Sequence, residues 1–166
     1  TYNQHELASM KYGPLFMNSM FFAHKLSFNL YGLNQNLNNI KKYQTIVIAE
    51  SEKSVLQAET MFEDNLTVAL GGSNIHSFQM DLIIKLAQPK LAIVALDKEY
   101  NTLEEMSEYF MRLSHKFKHL TRYMEVVILL DVDNIFKLKE SPFDRTINDF
   151  EKLHKWKVGN KSCLAI

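Results

Sequence analysis

In the stretch IVIAESEKSVL, residues 46–56, four apolar residues run directly into Glu50. The apolar part has the length of a buried strand, and the charged part that follows begins a helical pattern. A loop ordinarily carries such charge, so an acid at this point has a simple explanation. The alternative is that Glu50 holds a metal ion at the edge of a sheet.

The same alternation of strand and helix continues along the chain. Strands are predicted at 45–49, 66–70, 90–96 and 125–130, and helices at 52–64, 73–87, 102–120 and 145–156. Strands as uniformly apolar as these are typical of parallel sheets that helices cover on both faces. The predicted fold class is therefore α/β: an open sheet of about four mainly parallel strands with helices on both faces, preceded by a smaller N-terminal segment.

Length and composition favour one domain with a substantial core, since the chain has 166 residues of which 46% are hydrophobic. No apolar run approaches the roughly 20 residues of a membrane helix, so no membrane span is expected. The single cysteine, Cys163, cannot form an internal disulfide, and the first residues lack a signal peptide, which together predict a cytoplasmic location. Because the sequence starts without Met, we expect a fragment of a larger polypeptide.

The zero net charge conceals an uneven distribution. Residues 1–45 hold four Lys and one Glu, residues 46–110 hold four Lys and eleven acids, and residues 111–166 hold eleven Lys or Arg and seven acids. An acidic centre between basic flanks suits a cation-dependent enzyme that acts on a polyanion. Chance clustering of charge on solvated helices explains the pattern about equally well.

Three of the four predicted strands end on acids, namely Glu50, Asp97 and Asp131. Helical connections make the strands parallel, so their carboxyl ends share one edge, where ligands bind in such sheets. Carboxylates suit Mg²⁺ or Mn²⁺, and two such ions can stabilise the attacking and leaving oxygens of phosphoryl transfer. Asp97 and Glu99 could both turn toward this edge, although an Asp-x-Glu pair alone is a weak signal.

Three blocks of the sequence, IVIAESEKSVL, VALGGSNI and LAIVALDKEYN, resemble the Toprim domain, in which strands lead into a Glu, a Gly and an Asp-x-Asp. Upstream, YGPLFMNSMFFAHKLSFNLYGLNQNLNNIKKYQTIVIAE is similar to the run that precedes the Toprim glutamate in DnaG-type primases. Downstream, LKESPFD resembles the further acidic region of phage and prophage primases. The resemblance covers roughly residues 11–150.

The resemblance implies a set of site residues. Glu50 would be the Toprim glutamate, a metal ligand or general acid/base, and Asp97 and Glu99 the metal pair. Asp144, with Glu140 or Asp131, would supply additional acids. Residues implied to contact nucleotide or template are Asn18, Lys25 and Lys53, the last of which could instead neutralise Glu50.

This sequence departs from the family at two places, since Ser51 stands where many Toprim glutamates are followed by Gly, and Glu99 stands where the second Asp is usual. The expected domains are residues 1–43, resembling the end of the primase basic subdomain; 44–134, the Toprim domain; and 135–166, which complete or extend it. The cysteines of a primase zinc module are absent from this sequence, and a replicative helicase would be contacted only through regions outside it.

The resemblance implies the catalytic core of a DNA primase, a nucleotidyltransferase that makes short RNA primers on single-stranded DNA from nucleoside triphosphates, with Mg²⁺ or Mn²⁺. The fragment alone is expected to be inactive if template binding needs the missing parts. One alternative is a Toprim nuclease or topoisomerase-like enzyme, although nothing marks Tyr100 or another tyrosine as a nucleophile. The other is an inactive Toprim or receiver-like scaffold.

Overall fold

The computed structural model describes residues 26–158. The expected nucleotide or template contacts of Asn18 and Lys25, and most of the expected segment 1–43, lie outside the described residues. The proposed domain boundaries at 43/44 and 134/135 stay predictions.

A five-stranded sheet organises the described residues, in the order β2-β1-β3-β4-β5. The strands are β1 Thr45–Ala49, β2 Thr67–Ala69, β3 Leu91–Ala95, β4 Glu125–Leu130 and β5 His154–Lys157. The first four run parallel, and β5 runs antiparallel to β4. This arrangement confirms the predicted α/β class with a mainly parallel open sheet.

Five α-helices accompany the sheet in the described part of the chain: α1 Leu33–Tyr43, α2 Glu52–Met61, α3 Ser77–Asp81, α4 Leu103–Phe117 and α5 Ile147–Glu151. The α3 helix continues as a π-helical turn over Leu82–Ala87. Thr102 caps α4, because its hydroxyl accepts a hydrogen bond from the Glu105 amide at 3.2 Å. Single 3₁₀ turns lie at Leu26–Phe28 and Leu120–Arg122.

The strands are buried on both faces, as their uniform hydrophobicity predicted. Alternate residues such as Ile48, Val94 and Ile128 enter the larger core cluster, which contains Phe117 of α4. Their neighbours Ala49, Ala95 and Leu129 enter a second cluster on the opposite face. Two apolar layers therefore hold the sheet between helices, and its carboxyl edge is left for polar chemistry.

The prediction of a helix over residues 145–156 is wrong for its second half. The helix α5 ends at Glu151, and the chain then forms β5 along the free edge of β4, with Ile128 opposite Trp156. Pairing with β4 stabilises this strand, and the Trp156 ring packs 5.9 Å from the Phe110 ring of α4. The helix predicted at 73–87 also begins later, at Ser77.

Within the described residues, no helix has the length and hydrophobicity to cross a lipid bilayer.

Candidate acidic site at the sheet edge

Two neighbouring parallel strands bring the first two predicted acids together. Ala49 of β1 pairs with Ala95 of β3, so Glu50 and Asp97 emerge from the same edge of the sheet. Burial, followed by the charges of Glu50 and Asp144, raises the pKa of Asp97 to about 6. The Oδ1 atom of Asp97 is buried and accepts no hydrogen bond from the described residues. A nearby cation would stabilise the charged form of such a buried carboxylate.

A third acid, Asp144, reaches the edge through a loop that is tied to α2. The hydroxyls of Ser54 and Ser141 form a buried hydrogen bond of 2.9 Å, and Ser51 lies 3.2 Å from Ser54. The Ser141 amide then donates to Asp144 Oδ2 at 2.9 Å. The loop that carries Asp144 is therefore fixed to the helix that follows Glu50.

Lys53 forms an ion pair with Asp144, with its Nζ 2.7 Å from Oδ1. Burial alone would raise the pKa of Asp144, but hydrogen bonds from Lys53, the Ser141 amide and Gln57 outweigh it and hold that pKa below its ordinary value. The bond to Asp144 raises the pKa of Lys53. Lys53 therefore lies at the predicted edge, but its partner is Asp144.

Glu99 is surrounded by cations. Its carboxylate forms ion pairs with Lys139 and Arg112. The hydrogen bond from Lys139, with the charges of Arg112 and Lys116, holds the pKa of Glu99 below its ordinary value despite partial burial. The pKa values of Asp97 and Glu99, which are only two residues apart, are therefore shifted in opposite directions.

Asp131 lies in a buried ion pair with Lys98 and is 5% exposed. Its Oδ2 accepts from Lys98 Nζ at 2.7 Å and from the Phe136 amide at 2.8 Å, and its Oδ1 accepts from the Ile135 amide at 2.8 Å. These contacts fix the loop after β4, so the placement of Asp131 favours a structural role over metal ligation. Glu140, the other predicted additional acid, is paired with Arg145 at 2.9 Å.

Four cations that were not predicted from the sequence shape this edge: Lys98, Arg112, Lys116 and Lys139. Arg112 and Lys116 lie four residues apart on α4, a spacing that places them on one helix face. Lys98 follows Asp97 directly, and only its burial reveals that it balances Asp131. The loop that carries Lys139 has no regular pattern, so its place was not predictable.

The fit to a divalent cation is partial. Between residues 26 and 158, no group of three or more His, Cys, Asp and Glu side chains is arranged to hold a metal ion. Mg²⁺, however, is commonly bound by one or two carboxylates, while phosphate oxygens and waters complete its shell. The buried Oδ1 of Asp97, close to the charge of Glu50, fits such a ligand. The residues present thus fit an ion shared with a substrate, not a complete protein cage.

Comparison with known proteins gives relatives in sequence and in fold. No protein-family model matches the chain. The chain is 33% identical over 161 residues to the SPbeta prophage-derived uncharacterized protein YorJ of Bacillus subtilis (strain 168), covering 91% of the chain and 42% of that relative. The chain thus spans less than half of the relative's length.

Two solved structures share the fold. The primase of Aquifex aeolicus (zinc-binding and RNA polymerase domains) superposes with a TM-score of 0.54 at 18% identity, covering 77% of this chain and 28% of that one. The RNA polymerase domain of Mycobacterium tuberculosis primase DnaG gives a TM-score of 0.52 at 14% identity, covering 79% and 43%. The primase-like fold expected from the sequence is therefore confirmed, while membership of the Toprim family stays a prediction.

Proposed function

We propose that this chain is the catalytic-core part of a primase-like nucleotidyltransferase of the Toprim type, which makes short RNA primers on single-stranded DNA with Mg²⁺ or Mn²⁺. The observation that carries the proposal is the convergence of Glu50 and Asp97 at one edge of the sheet, where burial and then the charges of Glu50 and Asp144 raise the pKa of Asp97. This convergence occurs on a fold that resembles two primase structures. The prophage origin of the relative agrees with a phage-type enzyme.

In the proposed reaction, the 3′-hydroxyl oxygen of one nucleotide bonds to the α-phosphorus of the next triphosphate, pyrophosphate leaves, and a base takes the hydroxyl proton. A divalent cation would neutralise the charge that develops on the phosphate oxygens. Asp97 would hold the cation with Glu50, and Glu50 would also assist proton transfer. Asp144 would add negative charge from a position that Lys53 and Ser141 fix.

Several predicted contacts remain part of this proposal. Asn18 and Lys25 would contact nucleotide or template. Contact with a replicative helicase, through regions outside this chain, and a cytoplasmic location also remain predictions. Asp131 is left out of the proposed metal site because both of its oxygens already accept hydrogen bonds.

The test is primer synthesis on a single-stranded DNA oligonucleotide with four ribonucleotides, one of them labelled, in Mg²⁺ or Mn²⁺. We expect short labelled oligoribonucleotides from the chain or from the longer polypeptide that contains it. Asp97→Asn should abolish them, whereas Asp133→Asn, the same change at an exposed acid, should leave them unchanged.

Two results would contradict the proposal. Cleavage of labelled single strands in Mn²⁺ without synthesis would favour the nuclease or topoisomerase-like alternative. Stable folding without any metal binding or product would favour an inactive scaffold.

A further inference from the structure

Three cations from two parts of the chain converge on one carboxylate. Arg112 of α4 and Lys139 of the loop before α5 both form ion pairs with Glu99. Lys116, four residues after Arg112 on α4, is close enough for its charge to act on Glu99. The cluster Arg112–Lys116–Lys139 therefore holds two more positive charges than the one carboxylate cancels.

This cation cluster adjoins the acidic site. The charge of Glu50 acts on both Lys116 and Lys139, and the charge of Lys139 acts on Asp97. Lys116 Nζ also donates to the Ser73 carbonyl at 2.6 Å, which ties α4 to the turn after β2 at the same edge. A ligand bound across this edge would therefore have acids that can bind its metal ion next to cations that can bind its negative charge.

The ion pairs of Glu99 are of the kind that a stronger anion displaces. The side chains of Arg112 and Lys139 are 54% and 66% exposed, and exposed pairs contribute little to stability. A polyphosphate carries several charges, and an Arg guanidinium can bind two of its oxygens at once while the lysines act as point charges. Glu99 supplies only one charge to the same donors.

We propose that Arg112, Lys116 and Lys139 form a subsite for the triphosphate group of a nucleotide, and that Glu99 occupies this subsite as an internal anion until the nucleotide displaces it. The inference rests on the proposed function for the identity of the substrate. In this proposal Glu99 is not a metal ligand, because it competes with the nucleotide for the three cations.

The test is calorimetric binding of inorganic tripolyphosphate at low salt with a chelator present, so that no metal contributes. Glu99→Gln should bind about three- to fivefold more tightly than the unchanged chain, since the competing ion pairs are lost. Arg112→Gln should bind about tenfold more weakly, since a charge-assisted contact is lost. Glu108→Gln, an exposed acid on the same helix, and Arg122→Gln, a cation outside the cluster, should change nothing.

The proposal is overturned if Glu99→Gln weakens Mn²⁺ binding and leaves tripolyphosphate binding unchanged, which would return Glu99 to the metal pair. It is also overturned if neither the unchanged chain nor Glu99→Gln binds tripolyphosphate. If the proposed function is wrong, a different result is expected: Asp97→Asn would leave Mn²⁺ binding unchanged. Tripolyphosphate binding thus tests the subsite, and the effect of Asp97→Asn on Mn²⁺ binding tests the proposed function.

Discussion

At the scale of single residues, the acids of this edge fall into two groups that their sequence context does not separate. The pKa of Asp97 rises to about 6, first through burial and then through the charges of Glu50 and Asp144. Glu99 and Asp144 lie against cations, and their pKa values fall below the ordinary range. The charge of Asp97 is therefore poorly tolerated in the folded chain, which is the property expected of a cation ligand.

Asp97→Asn should make the folded chain more stable at neutral pH. The ordinary pKa of Asp97 is 3.8 and its folded pKa is about 6, so the folded state holds the proton more tightly and its stability falls as pH rises between these values. Removing the charge should add about 1 kcal/mol above pH 6, since partial exposure screens the effect, and almost nothing below about pH 4. Urea unfolding at about pH 4 and about pH 8 measures the difference.

Asp144→Asn is the matched comparison, with the opposite sign. The folded pKa of Asp144 is lowered, so its stabilising contribution is present above the ordinary value of 3.8 and is lost as pH falls through the folded value. We expect a loss of about 1 kcal/mol at neutral pH. Equal effects of both substitutions, with the same sign at neutral pH, would contradict this electrostatic assignment.

Lys98→Met should be among the most destabilising changes, because it leaves the buried Asp131 carboxylate without its cation. Breaking one side of a buried pair costs about 3–5 kcal/mol. The free energy of unfolding in urea measures this cost. Lys118→Met, at an exposed lysine, should stay within about 0.5 kcal/mol of the unchanged chain. A loss below about 1 kcal/mol for Lys98→Met would contradict the structural role given to this pair.

At the scale of elements, the hydrogen bond between Ser54 of α2 and Ser141 joins the helix after Glu50 to the loop that carries Asp144. Residues 54 and 141 are distant in sequence, so hydrophobic patterning alone does not pair them. The serine pair, whose residues are 0% and 2% exposed, and the Lys53–Asp144 ion pair therefore both fix Asp144 relative to the helix that follows Glu50. We name the contact between the two serines the serine bridge.

A double-mutant cycle tests the serine bridge. Ser54→Ala and Ser141→Ala should each cost about 1–2 kcal/mol, because each leaves the other hydroxyl buried with a lost partner. The double variant should lose less than the sum of the two single losses. Ser114→Ala is the matched control, since the Ser114 hydroxyl has no hydrogen-bond partner in the described residues, and this change should be nearly neutral. Additive losses in the cycle would show that the two hydroxyls are not coupled.

The elements show what the sequence could predict. The four parallel strands and the capped helix α4 follow from long apolar runs and a Thr-x-x-Glu pattern. The strand β5 was missed because its four residues alternate over too short a run and follow a helical stretch. Its stability comes from pairing with β4 and from Trp156 against Phe110, which are contacts distant in sequence.

The acidic site was also predictable only in part, because some of its contacts join residues that are distant in sequence. Strand ends place Glu50 and Asp97 at one edge by topology alone, and the structure brings them together. Whether Glu99 or Asp131 faces that edge depends on which cations approach them from α4, Lys98 and the loop after β4. Such pairings arise from tertiary packing and leave no periodic pattern in the sequence.

At the scale of the whole molecule, helices cover both faces of the sheet and leave its carboxyl edge for polar groups. Along this edge, Lys53 pairs with Asp144, the charges of Lys53 and Lys139 act on Asp97, and the charge of Glu50 acts on Lys116 and Lys139 of the cation cluster. An arrangement of acids flanked by cations suits a metal ion and a polyphosphate bound together. We propose that this edge binds a divalent cation through Asp97.

Calorimetric titration of Mn²⁺ tests this binding in the unchanged chain, in Asp97→Asn and in Asp133→Asn, at low salt and above the Asp97 pKa of about 6. We predict binding by the unchanged chain and by Asp133→Asn, and its loss in Asp97→Asn. Binding should also weaken as pH falls through about 6, where protons compete for Asp97. Equal binding by all three proteins, or none by any, would contradict the claim.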